Sequence, residues 1–149
     1  ASMDGEVREE QEHVLITSDG YDRVNVLVLN YKHFNSVYYF SKENAVAPEN
    51  LNKIFENTAP FQGTANLEGV VPGRYLMKRW RLDPEYGDLL TRYGQWGQLT
   101  DIGGEELHYL RHNVAPDLDV KHVTVKDTLS LDFDLAANAM VVFELYRIP

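Results

Sequence analysis

The sequence predicts a mainly β protein, a two-sheet antiparallel β-sandwich with short helical inserts. Three observations carry this reading. The segments VNVLVLNY (24–31) and AMVVFELYRI (139–148) are almost wholly apolar over strand length, as expected of strands covered on both faces or set in a sheet centre. TLSLDFDLA (128–136) alternates, with Leu129, Leu131, Phe133 and Leu135 to one side and Ser130, Asp132 and Asp134 to the other. Asp-Gly at 19–20 and Pro-Gly at 72–73 mark turns between such segments. Two packed sheets cover strands that are apolar on two faces. The predicted core is Val26, Val28, Leu129, Leu131, Phe133, Val141, Phe143 and Leu145.

Taken in order, residues 1–12 read as a flexible, solvated tail, and residues 13–149 as a single sandwich domain. His13–Asp19 is the first expected strand. It joins the strand at 24–31 through the turn DGYD in a hairpin. Tyr38, Tyr39 and Phe40 begin a short strand that Pro48 breaks, and PENLNKIFEN supplies one or two helical turns. TANLEGV (64–70) and Arg74–Asp83 are strands that the Pro-Gly turn joins as a second hairpin. Pro84–Trp96 is partly helical and interrupted by glycine. A helix over Glu105–His112 is expected to be capped by Thr100 or Asp101, to put Leu107 and Leu110 on one face, and to end at Pro116. LDVKHVTV (118–125) changes alternation phase near His122, which suggests a bulge.

The chain has 149 residues, a formal net charge of -9 and a sequence pI near 4.9. That balance opposes broad contact with a phosphate backbone, so no direct nucleic-acid contact is expected. It suits neutral ligands or a protein partner. There is no Cys, hence no disulfide framework and no thiolate chemistry. No apolar run approaches the ~18 residues of a membrane span. The length falls well short of the about 250 residues typical of a TIM barrel.

Catalytic constellations find no support in the residues. A glycosidase pair needs two acids about 5–9.5 Å apart across a bond. Asp83, Glu85 and Asp88 cluster in one loop and read as a solvated group balancing Lys78, Arg79 and Arg81. His108 and His112 share a helix face as a zinc pair would, but no third ligand stands near them in sequence, so no metal is assigned. No nucleophile elbow or phosphate-cradling glycine loop occurs, and no cofactor is expected. The aromatics remain. Trp80, Tyr86, Tyr93 and Trp96 either fill core or domain contacts, or offer flat faces to sugar rings. In an isolated domain, Tyr86, Tyr93 and Trp96 are expected to be exposed and Trp80 buried.

The order of these pieces resembles a known family. VNVLVLNYKHFN, then NLEGVVPGRYLMKRWRLDPEYGDLL, a helix after QLT, and a closing LSLDFDLAANAMVVFEL follow the sequence pattern of the C-terminal β-sandwich domain of glycoside hydrolase family 39, which includes β-xylosidases. The resemblance spans about residues 14–147. It implies an accessory domain that packs on a TIM-barrel catalytic domain of the same parent chain. The family's acid/base lies in an Asn-Glu pair on that barrel, and this sequence contains no Asn-Glu dipeptide. The resemblance therefore implies a non-catalytic module. Trp80, Tyr86, Tyr93 and Trp96 would then make interdomain or carbohydrate contacts. A carbohydrate-binding module for xylan-type or other plant polysaccharides, and a sensing part of an AraC-type regulator fusion, are the alternatives.

Overall fold

A computed structural model describes residues 6–11, 13–36, 38, 54–96 and 102–149 of the protein, with side chains undescribed for 6–11, Leu90, Tyr93 and Gly94. It is a mainly β structure of two antiparallel sheets with helical inserts. Eight strands run β1 (Glu6–Gln11), β2 (Val14–Ser18), β3 (Arg23–Leu29), β4 (Phe61–Glu68), β5 (Gly73–Leu82), β6 (Asp117–Val125), β7 (Thr128–Leu135) and β8 (Met140–Ile148) among the described residues. Helices α1 (Leu89–Gln95) and α2 (Gly104–Asn113) both fall between β5 and β6. The large sheet has the order β1-β2-β3-β8-β5-β6, and β4 pairs with β7 in a two-stranded sheet.

The two most apolar segments, β3 and β8, lie side by side in the middle of the large sheet. Alternation then decides what each residue meets. Val24, Val26 and Val28 stand opposite Leu145, Phe143 and Val141, and all six face inward. Tyr75 and Met77 from β5 and Val125 from β6 extend that face. Leu67 of β4 and Leu131 and Leu135 of β7 close over it from the small sheet. Every predicted core residue belongs to this cluster, with Leu129 and Phe133 partly rather than wholly buried. Ser130, Asp132 and Asp134 are exposed, as their phase requires.

The β2–β3 hairpin forms where DGYD predicts it. Asp19 Oδ1 accepts the backbone N–H groups of Tyr21, Asp22 and Arg23 at 2.9–3.0 Å. These bonds hold the Asp19 carboxyl below the ordinary aspartate range.

Five expectations need correction. The residues expected to be a tail contain β1, which pairs with β2 through a bulge between Val7 and Glu9. The charged sequence EVREEQ hides a strand because its partner edge, not its own side chains, specifies it. β4 and β5 are not a hairpin: β4 pairs with β7, and β5 with β6 and β8. Gly69, at φ 71°, and the Pro72-Gly73 turn carry the chain from one sheet to the other as an arch. The buried ring of Tyr75 spans that arch and donates its hydroxyl to Val71 O at 2.7 Å. No bulge occurs near His122, since β6 keeps unbroken register with β5 from Val125 to Asp117. Its phase change reflects an edge strand whose Val123 and Val125 face the core while Leu118 and Val120 face out. Ser36 and Tyr38 are helical rather than extended. Tyr39, Phe40 and the segment 48–53 lie outside the described residues. Finally, α2 starts at Gly104 with Gly103 at the cap position, and ends at Asn113 before Val114. Thr100 and Asp101 lie outside the described residues. Leu110 is buried while Leu107 is exposed, so the two do not share one environment.

Asn30, at the end of β3, is 1% exposed. Its side-chain amide donates to the carbonyls of Ala59, Leu135 and Ala136 at 3.1, 3.0 and 2.9 Å. Its backbone N–H donates to Ala139 O, and its carbonyl accepts from Asn138. One residue thereby joins β3, the approach to β4 and the β7–β8 turn.

Candidate functional site

The stretch that concentrates chemistry-bearing residues is the insert between β5 and β6, together with the end of β5 that feeds it. Register places Arg79 opposite Asp119 and Arg81 opposite Asp117. Ion pairs follow at 3.8 Å for Arg79–Asp119 and 3.6 Å for Arg81–Asp117. Arg81 Nε also lies 3.3 Å from Asp83 Oδ2, without the alignment of a hydrogen bond. The Arg81 guanidinium sits 4.5 Å from the centre of the Tyr86 ring, a cation–π contact.

Two of the three candidate carboxylates, Asp83 and Asp88, have structural posts, while Glu85 is exposed. Asp83 Oδ1 accepts the N–H groups of Glu85 and Tyr86 at 2.8 and 2.9 Å, and the two backbones of Asp83 and Tyr86 bond to each other. Gly87 completes the turn at φ 79°. A Cβ there would stand 2.3 Å from Leu82 Cδ1 and 3.2 Å from Pro116 N, so only glycine fits. Asp88 precedes α1: its carbonyl accepts from Arg92 N and its carboxylate from the Thr91 hydroxyl. Arg81 balances Asp83 as expected, whereas Arg79 turns to Asp119.

Three of the four aromatics expected at the site have separate partners. Trp80 is half-buried and its indole N–H donates to Glu144 at 2.9 Å. Tyr86 is half-buried beneath Arg81. Trp96 is half-buried and packs on Tyr109 at 5.6 Å between ring centres. The side chain of Tyr93 lies outside the described residues. The anticipated contrast between a buried Trp80 and exposed Tyr86 and Trp96 is thus absent. Among the described residues the large exposed apolar side chains are other ones: Leu89, Ile102, Leu107 and Tyr109 in the insert, Tyr21 and Tyr31 near β3, and Leu118 and Val120 on β6. A polar cleft of about 390 Å³ opens between the Pro84–Asp88 turn, one side of α1 and the end of α2.

On α2 the rings of His108 and His112 stand 4.0 Å apart, and His112 Nδ1 lies 2.8 Å from His108 O. Among the described residues no group of three or more His, Cys, Asp or Glu could hold a metal ion. Among the described residues, too, no helix is long and apolar enough to cross a membrane.

No family model and no curated protein matches the sequence. Solved structures do match. A monomeric β-xylosidase from Caulobacter crescentus CB15 superposes with a TM-score of 0.65 at 20% identity, over 94% of this chain and 27% of that one. The GH39 enzyme from Xanthomonas axonopodis pv. citri gives 0.62 at 21%, over 91% and 26%. The chain has the fold of one part of these enzymes. A bacterial orthologue of human α-L-iduronidase shares the fold more distantly, with a TM-score of 0.58 at 13% identity, over 91% of this chain and 22% of that one. The chain thus spans about a quarter of the length of the solved structures it matches.

Sequence reasoning found the insert and the acidic loop that starts at Asp83. It missed Asn30, although the segment VNVLVLNY contains it, because the carbonyls it serves lie up to 106 residues away. It also missed the Tyr75 arch, which needs β4 and β5 to belong to different sheets.

Proposed function

We infer that the chain is the non-catalytic C-terminal β-sandwich domain of a family 39-like, β-xylosidase-like glycoside hydrolase. In this reading it packs against and supports a TIM-barrel catalytic domain of the same parent chain. The observation that carries the reading is the match itself: nearly all of this chain superposes on about a quarter of two glycosidases. The geometry of the insert supports it. Asp83 and Asp88, the acids nearest a glycosidase pair in the sequence, are engaged by turn amides and a helix-start hydroxyl. Exposed apolar side chains also favour a covering partner. Leu118 and Val120 of β6 are 44% and 48% exposed, and Leu107 and Tyr109 project from α2. Trp80, Tyr86, Tyr93 and Trp96, in or beside the insert, are the proposed side chains through which it meets the barrel or a sugar at the boundary.

The chain alone should not turn over aryl-β-xylosides or related aryl glycosides. Mixed with the separately produced remainder of its parent, it should bind that remainder and raise its melting temperature. Robust hydrolysis by the isolated chain, abolished by substituting Asp83 or Asp88, would overturn the reading.

A further inference from the structure

The two sheets differ in width, and the difference leaves a place beside β4. Among the described residues the large sheet has six strands and the small one only β4 and β7. β4 lies over the β2 side of the large sheet. Phe61 at its start packs on His13 at 5.0 Å between ring centres, and Leu67 near its end shares a cleft with Ile16 of β2. Its partner β7 lies on the other side, so the far edge of β4 looks out over β2. In an antiparallel pair every second residue turns its N–H and C=O away from the partner strand. Among the described residues no backbone group of β4 finds a partner outside β7.

That free edge borders a cleft of about 610 Å³, which opens between the β2–β3 turn at Tyr21 and the β4–β5 arch. The floor is apolar: Ile16, Val24, Leu67 and Val70 belong to the core or pack on it. Asn66 and Glu68 stand opposite Ser130 and Thr128, so their side chains point to the outer face of the small sheet and they meet the cleft with main-chain atoms. Unpaired backbone groups beside an apolar floor are what an added strand requires. The outer face next to this edge is acidic. Along β4 and β7 it carries Glu68, Asp132 and Asp134 and no Lys, Arg or His. Other edges are poorer places. Toward β5 and β6 the core side of the large sheet presents Arg79, Arg81, Asp117 and Asp119, already joined in ion pairs. β1 is guarded by its charged sequence EVREEQ.

We propose that β4 accepts an added strand: an extended segment of a partner protein, with alternate apolar side chains over the cleft floor and Lys or Arg on the outer face beside Glu68. The two-residue period of a strand does the selecting. A residue that faces inward meets Ile16 and Val24. The next faces outward beside Glu68, where a cation is favoured across the strand pair and an acid is opposed. The edge is separate from the β5–β6 insert, and the proposal does not depend on attachment to a barrel.

The test titrates the 149-residue chain with a short acetylated and amidated peptide of alternating Lys and Val, recording ¹H–¹⁵N spectra and amide exchange. Saturable shifts should centre on β4, and every second amide of β4 should exchange more slowly. A peptide of alternating Glu and Val should bind far more weakly. The Lys–Val peptide N-methylated at every residue keeps its side chains but has no N–H to donate, and should not bind. Glu68→Lys should weaken the Lys–Val peptide ~5–10-fold. Glu85→Lys makes the same change of charge in the insert and should leave binding unaltered. Both positions are exposed, so the melting temperature should stay that of the parent chain. The proposal is overturned by an absence of saturable shifts in β4, by shifts centred instead on Leu118 and Val120 of β6, by equal effects of Glu68→Lys and Glu85→Lys, or by undiminished binding of the N-methylated peptide. Failure of barrel association with intact peptide binding would sink the domain assignment alone; the reverse result would sink only the added strand.

Discussion

Asn30 shows how much one polar side chain can hold in this fold. Its amide has two hydrogens, shared among three carbonyls that come from the approach to β4 and from the end of β7. Asn30→Ala would leave those buried acceptors without their donor, and water has little access to a residue that is 1% exposed. The expected loss is about 2–3 kcal/mol, measurable by urea unfolding. A change under about 0.5 kcal/mol, the size of an ordinary surface substitution, would contradict the clasp. Tyr75 works the same way at the other end of the sandwich. Its ring is buried and its hydroxyl reaches the arch at the cleft wall, so burial raises its phenol above the ordinary tyrosine value. A folded-state value above the unfolded one means that the hydrogen-bonded phenol contributes fully below about pH 10 and is lost as pH climbs through the raised value. Tyr75→Phe should therefore be less stable than the parent near neutrality, by about 1 kcal/mol. The gap should narrow as pH rises past about 10. Thermal melts of both proteins across that range would read it, and a constant gap would remove the titration from the account.

Among the elements, the insert between β5 and β6 has a stability of its own. It is anchored through the Asp83–Tyr86 turn, the Arg81 contacts and the close approach of Gly87 to Leu82 and Pro116. Gly87→Ala would force a Cβ into that approach on a left-handed backbone, at a cost of roughly 2–4 kcal/mol. The cost should fall locally. Hydrogen exchange should show faster opening over residues 83–96, while the amides of Val26 and Phe143 in the sheet centre keep their protection. Uniform loss of protection across β3 and β8 would instead mean that insert and sandwich unfold as one unit. The strands need less from local sequence. β3 and β8 are held by register and burial on the core face, and β6 tolerates outward Leu118 and Val120 because it is an edge.

For the molecule as a whole, the sheets are of unequal size: six strands on one side and two on the other. The chain crosses between them at β3–β4, β4–β5, β6–β7 and β7–β8, so the core is assembled from contacts distant in sequence. A small sheet leaves the larger one with ends to fill. One end opens as the cleft beside Tyr21, and the other carries the Arg79 and Arg81 ion pairs and leads into the insert. The exposed apolar side chains of β6 and α2 fit a domain made to sit against a larger body. If so, association with the parent's remainder should protect them. Hydrogen exchange over β6 and α2 should slow in the complex, while the β2–β3 turn stays unchanged.

The sequence by itself determined the β class, seven of the eight described strands, both helical segments of the insert and the inward residues of the core. Those follow from periodicity and turn chemistry, which are local: alternation in TLSLDFDL or an Asp-Gly turn acts over a few residues. Tertiary structure alone decided which strands pair. β4 and β5 carry a sound hairpin signal, yet Leu67 and Tyr75 enter the core from opposite sheets, because burying both outweighs pairing neighbours. The same holds for the sites. Asp83 was legible as the end of a strand and part of an acidic loop, but its role was set by where Glu85, Tyr86 and Arg81 came to rest. Asn30 and the cleft at Tyr21 had no local signature, since each depends on segments about 30 to 106 residues apart that meet only when the two sheets close.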